Sequence, residues 1–269
     1  MMLNLLILVV LSAPSMALSL SPRVTGGSPA ELGEFPEIVS MKWNGEPSCG
    51  GVLLNEKVVI TAAHCVSASD GTPEPDHLPW WANGTTVQAG SLVTSSGGIT
   101  VGVSKIYVHA DYVHRTTHHD VALLYLNSSI KETSTIRYAK LPAKGADPIP
   151  GSTAVVAGWG DTKFEGSGSP HLLKADIPVV SRKKCNDYWS EIDRKIIFSQ
   201  MCAGTKKAAG CNGDSGGPLF DSITGQVIGI VSQAQRCSET GWPTVFASVS
   251  AYVDWIKEHA SLEEGIKTS

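Results

Sequence analysis

Residues 213–218 read Gly213-Asp214-Ser215-Gly216-Gly217-Pro218, a hydroxyl and a carboxylate set among three glycines. A serine is a weak nucleophile at neutral pH unless a neighbouring base takes its proton as it attacks a carbonyl carbon. Glycines allow a tight turn and let backbone N–H groups approach a ligand that side chains would shield. Working outward, two other fragments supply the missing groups. Thr61-Ala62-Ala63-His64-Cys65 carries an imidazole, and Asp120-Val121-Ala122-Leu123-Leu124 sets a carboxylate at the head of an apolar run. Singly, each polar residue reads as an ordinary core or surface group. Together, in the order His, Asp, Ser, they offer the residue types from which a base, an orienting acid and a nucleophile can be assembled.

The surrounding chain is built for strands. Its 269 residues are 42% hydrophobic and 17% charged, enough for one large domain or two small ones with proper cores. Short apolar runs at 38–41, 51–54 and 58–60 recur between turn residues, with strand-like segments following at 85–89, 99–108 and 121–126. A second group falls at 153–157, 175–180, 218–220, 226–232 and 245–249. The one strong helical spacing joins Tyr252, Val253, Trp255, Ile256, His259 and Leu262, and 181–189 suits a shorter helix. Residues 67–84, with Trp80 and Trp81, read as a long surface loop under which the tryptophans pack. The fold class expected is all-β.

Residues 1–17 have the apolar core and the small residues Ser15 and Ala17 of a signal peptide, though no lysine or arginine precedes that core. The stretch is too short for a permanent span, and no later segment is apolar enough to cross a membrane. A secreted, extracellular protein is expected. Residues 18–23 end in Arg23, directly before Val24-Thr25-Gly26-Gly27, which marks a processing site and an activation propeptide. Six cysteines, Cys49, Cys65, Cys185, Cys202, Cys211 and Cys237, form an even set suited to disulfides, and six alone allow fifteen pairings. No Cys-x-x-Cys pair occurs and no histidine–cysteine group falls at ligand spacing, so neither a metal nor a cofactor is expected. Asn83 and Asn127 open glycosylation triplets. A formal charge of −4 without a basic cluster gives no case for nucleic acid, and a monomer is the default.

The three fragments together resemble the chymotrypsin and trypsin family, from Val24 to about Lys257. The resemblance implies two six-stranded antiparallel barrels, roughly 24–140 and 141–269, with a C-terminal helix and a catalytic cleft between the barrels. His64 and Asp120 would come from the first and Ser215 from the second. It further implies an oxyanion hole from the amides of Gly213 and Ser215. Cleavage after Arg23 would free the Val24 amine to pair with Asp214. The cysteines would pair Cys49–Cys65, Cys185–Cys202 and Cys211–Cys237.

The resemblance also locates a specificity pocket. Trypsin-like members carry an aspartate where this chain has Ala209, so a lysine or arginine would lack a counter-charge there. Gly210 and Asn212 follow, Ser232-Gln233-Ala234 forms a wall, and Thr244 stands opposite. Ala234 and Thr244 replace two wall glycines of chymotrypsin-like pockets and give an elastase-like slot for small or medium aliphatic residues. Gln233 replaces the usual aromatic floor of the farther subsites, and Glu239 reads as a solvent-exposed acid. The loop that holds calcium in some trypsins, near 91–98, has no carboxylate here. Expected partners are protein or peptide substrates, an activating protease of basic specificity and protein inhibitors. Trypsin- or chymotrypsin-like cleavage, and a non-catalytic binding protein on the same scaffold, are the alternatives.

Overall fold

The computed structural model describes residues 27–67, 79–237 and 239–260. The signal and propeptide segments with Arg23 and Val24, most of the 67–84 loop, and the side chains of Trp80 and Trp81 lie outside the described residues.

Strand β1 (Ser28–Pro29) precedes six strands, β2 (Ile38–Trp43), β3 (Glu46–Leu53), β4 (Val58–Thr61), β5 (Thr85–Ala89), β6 (Ile99–Val108) and β7 (Ala122–Leu126). Antiparallel pairing closes them into a barrel in the order β2-β3-β4-β7-β6-β5. Then follow β8 (Thr153–Gly158), β9 (Leu173–Val180), β10 (Gln200–Ala203), β11 (Pro218–Asp221), β12 (Val227–Gln233) and β13 (Thr244–Ser248). These run β9-β10-β13-β12-β11-β8, and a β8–β9 pairing closes the second barrel. The described residues also hold helices α1 (Pro79–Gly84), α2 (Arg182–Trp189) and α3 (Val253–Ala260) and short 3-10 turns, one of them, Ala63–Cys65, carrying His64. Two closed six-stranded antiparallel barrels with a short terminal helix are the chymotrypsin-like fold expected from the fragments.

The apolar runs are continuous, rather than alternating, for a reason the structure makes plain. Successive strand residues face opposite sides. On β7, Ala122, Leu124 and Leu126 fill the first barrel, while Leu123 and Tyr125 enter a separate core shared with the second barrel. On β4, Val59 points inward while Val58 and Ile60 join that shared core. Ala157, Phe220, Val227 and Ile230 meet them from the other barrel. Both faces are dry, so both are apolar.

The first strand and the last helix of the described residues each pack on the barrel to which they do not belong in sequence. β1 pairs with β9 of the second barrel. Helix α3 instead packs on the first, where the Tyr125 hydroxyl donates to His259 O at 3.0 Å and Trp255 stacks on Tyr107. Two segments differ from expectation. Helix α1 occupies the last part of the presumed 67–84 loop. β10 was not anticipated, because Gln-Met-Cys-Ala has neither alternation nor β-branched residues, and its four residues are buried only through their neighbours β9 and β13. The shorter helix does form as α2, capped by the Ser181 hydroxyl, and seats the fully buried Trp189, whose Nε1 donates to Pro243 O at 3.1 Å.

Candidate active site

The three fragments converge where the barrels meet. Asp120 is 1% exposed, and no buried carboxylate tolerates that without donors. Oδ2 lies 2.7 Å from His64 Nδ1 and accepts the Ser232 hydroxyl at 2.6 Å, and Oδ1 accepts the His64 backbone N–H at 2.9 Å. Such a carboxylate fixes the imidazole with its proton on Nδ1, leaving the Nε2 lone pair free as a base. Burial works against the charged ring, but the charge and hydrogen bond of Asp120 outweigh it and hold His64 above its ordinary value. Ser232, expected only as a pocket wall, is thus also an anchor of Asp120; its place beside Gln233 offered no signal of that.

His64 and Ser215 hang on one junction. The Gly50 N–H donates to Ser215 O at 2.7 Å, and Gly50 adjoins Cys49, which is disulfide-bonded to Cys65 next to His64. On the other flank, Gly216 N–H donates to Val231 O at 2.8 Å, beside Ser232. His64 Nε2 lies 3.8 Å from Cys65 Sγ, on the disulfide side of the cleft. Gly216 sits at φ +76°, and a Cβ there would run into Thr61 Oγ1 and Gly50 O. No other residue fits.

Gly213 has φ +86°, and its amide, like that of Ser215, donates to no backbone carbonyl among the described residues. Asn212 O accepts the Asp161 N–H at 2.6 Å. In a trans peptide the C=O and N–H point in opposite directions. The Gly213 N–H is therefore turned away from Asp161. The amides on either side of Asp214 are thus both without a backbone acceptor among the described residues.

Asp214 is 1% exposed and accepts the Gly160 N–H at 2.8 Å and the Cys211 N–H at 3.0 Å. Among the described residues no basic group pairs with it, and burial pushes its carboxyl up to about 6. Nearby, Ala209 is fully buried, and Thr244 Oγ1 lies 3.4 Å from Gly210 O. A Cβ built on Gly210 would touch the Thr244 methyl at 3.4 Å, so the threonine side chain stands across the space beside Gly210. The disulfide Cys211–Cys237 ties the serine loop to the 232–237 segment, and Cys185–Cys202 joins α2 to β10. The Thr117 hydroxyl donates to Gln233 Oε1 at 3.2 Å. A cleft of about 460 Å³, lined by Cys49, Trp159, Asp161, Asn212 and Gly213, opens beside the serine loop. The larger cavity, about 670 Å³, is lined by Glu34, Phe35, Lys174 and Phe220 and contains none of these groups.

The trypsin family model matches residues 24–256. The chain belongs to the trypsin family. It is 33% identical over 242 residues to trypsin beta of Drosophila erecta, covering 90% of each chain. It is 33% identical to trypsin alpha-4 of Lucilia cuprina, with 90% of this chain and 89% of the relative covered, and 31% identical to trypsin delta of Drosophila melanogaster, with 90% of each covered. The protein is a serine endopeptidase, with disulfides Cys49–Cys65, Cys185–Cys202 and Cys211–Cys237.

The remaining expected site residues of the protease take these places. Ala234 lies half-buried after β12, and Asn212 is exposed at the serine loop. Glu239 pairs with Arg236 at the surface, at 3.3 Å. Asn83 on α1 and Asn127 after β7 are both exposed. In the 91–98 loop, the Gln88 amide donates to Ser96 O at 2.8 Å and Gly97 O at 2.7 Å. A neutral amide thereby occupies carbonyls of that loop. No described helix is long and apolar enough to cross a membrane.

Proposed function

We propose that this protease cleaves peptide bonds through an acyl-enzyme with His64, Asp120 and Ser215 as its triad, after small or medium aliphatic residues. The observation carrying it is the 2.7 Å contact of His64 Nδ1 with a buried, triply hydrogen-bonded Asp120. His64 Nε2 takes the Ser215 Oγ proton as Oγ bonds to the carbonyl carbon. The carbonyl oxygen, now negative, is held by the Gly213 and Ser215 amides. His64 then gives the proton to the departing amine, the C–N bond breaks, and water repeats the sequence on the ester. The 460 Å³ cleft beside Gly213 has room for the departing segment. The 1–17 signal, the 18–23 propeptide, sugar at Asn83 and Asn127, and export from the cell are parts of the same reading.

Because the base acts neutral, kcat/KM falls as pH drops through the His64 pKa, which Asp120 holds above 6.5. A pH profile should place the acid midpoint above that of free imidazole. A midpoint near 4 would name a carboxyl as the base and reject His64.

Although the relatives are named trypsins, the buried Ala209 offers no anion to a basic side chain. Thr244 narrows the slot beside Gly210. On peptides differing only before the scissile bond, the wild type should prefer Ala, Val or Leu. Thr244→Gly should raise kcat/KM for Phe relative to Ala by roughly 10- to 100-fold. A wild type that cleaves best after Lys or Arg, or a variant with an unchanged Phe/Ala ratio, would remove this assignment of the pocket.

A further inference from the structure

In the segment leading up to Asp120, the chain gathers groups that the mechanism does not use. Residues 109–121 fold back on themselves: His109 N–H donates to Val121 O at 3.1 Å and Val113 N–H donates to His118 O at 3.0 Å. This hairpin brings together residues ten apart. The rings of His109 and His119 lie nearly parallel with centroids 5.1 Å apart, and Asp111 stands beside them. One ligand atom from each of His109, Asp111 and His119 lies within 4.8 Å of the others. The floor is supplied by the start of the C-terminal helical segment. Trp255 packs 5.0 Å from the His109 ring, Tyr252 meets that ring edge-on at 5.4 Å, and the Tyr252 hydroxyl lies 3.5 Å from His119 Nδ1.

We propose that His109, Asp111 and His119 form a binding site for a divalent transition ion of the zinc type, whose occupancy slows the protease through Asp120. Two imidazoles and one carboxylate, with a position left for water, are a donor set zinc accepts. Ligands on one tetrahedral zinc lie roughly 3.3 Å apart. The three atoms must therefore close by at most about 1.5 Å, which the exposed Asp111 side chain and a turn of the His119 ring toward the ion supply together. At present His109 Nδ1 accepts the Asp111 N–H at 3.2 Å. The ion takes either that lone pair or the Nε2 lone pair with the ring proton moved to Nδ1, and in both cases this hydrogen bond is given up. The Tyr252 hydroxyl is placed to orient the His119 ring, as outer partners of ligating histidines do.

The coupling to activity rests on the role proposed for Asp120. His119 directly precedes it, holds φ +54°, and its carbonyl accepts the Val121 N–H at 2.8 Å. Drawing the His119 ring toward an ion turns the segment from which the Asp120 carboxylate reaches His64.

The test separates the site from that role. Zinc is titrated calorimetrically into full-length chain cleaved after Arg23 and carrying Ser215→Ala, which cannot digest itself. One ion should bind per chain. His109→Gln and His119→Asn should each weaken binding at least tenfold, whereas His114→Gln, whose ring contacts Tyr112, should not. Asparagine tolerates the left-handed backbone of position 119, so an unchanged melting temperature certifies the fold. The Asp111 amide proton should shift on zinc addition. Binding that survives in both variants, or that disappears only with His64→Ala, overturns the site. In chain with Ser215 intact, zinc should lower kcat and the His109→Gln variant should resist it at equal concentration. Binding with no loss of turnover would leave the site and reject the coupling.

Discussion

Replacing Ser215 by alanine should lower kcat of the cleaved protease by about a million-fold, and His64→Ala should do the same. The two losses should not add. Oγ without a base to take its proton is as inert as no Oγ, and a base without Oγ has nothing to activate. What survives is the residual rate from the Gly213 and Ser215 amides and from substrate binding, on the order of 10³- to 10⁴-fold over water. Active-site labelling with a fluorophosphonate checks the same assignment, since only an activated serine reacts. Wild type should label once per chain, at Ser215. A Ser215→Ala variant that keeps more than about 1% of the activity, or wild type that labels elsewhere, would mean the nucleophile has been misplaced.

The second large effect concerns Asp214. Its carboxyl is fully enclosed, takes two backbone N–H donors and is pushed up to about 6 by burial. Ionising it above that pH without a cation costs roughly 3 kcal/mol. The sign follows from a folded pKa above the unfolded 3.8: stability present below about pH 4 is lost as pH rises toward 6. A primary amine released at Val24 is the counter-charge proposed to reverse this; Gly27 is buried, and the β1 strand that follows it pairs with β9 of Asp214's barrel. In cleaved enzyme, Asp214→Asn should therefore reduce kcat by about 10²- to 10³-fold by loosening the Gly213 and Ser215 amides, while leaving the melting curve cooperative. The uncut variant Arg23→Gln should show the same deficit with Asp214 intact, and adding a protease of basic specificity should rescue wild type but not this variant. Full activity of the Arg23→Gln chain would end the precursor reading.

How much was legible before folding depends on the kind of information each feature carries. The fragments around His64, Asp120 and Ser215 are local, because a tight glycine turn or an apolar run beside an acid must be written in adjacent residues. Strands β4 and β7 were legible as apolar runs, yet their sorting into two cores was not, since alternation disappears when both faces are buried. β10 and α1 escaped because four buried residues, or one turn and a half of helix, owe their form to neighbours rather than to propensity.

What the chain determined by itself, then, was its class, two strand-rich halves, and the chemical types of its reacting groups, all set by short-range pattern. Only tertiary structure decided that Ser232 holds Asp120, that the Asn212 carbonyl turns the Gly213 amide away from Asp161, and that His109 and His119 stack. The physical reason is that hydrogen bonds and ligand geometry act over about 3 Å in space, and closure of barrels and hairpins brings together residues that no spacing along the chain can pair.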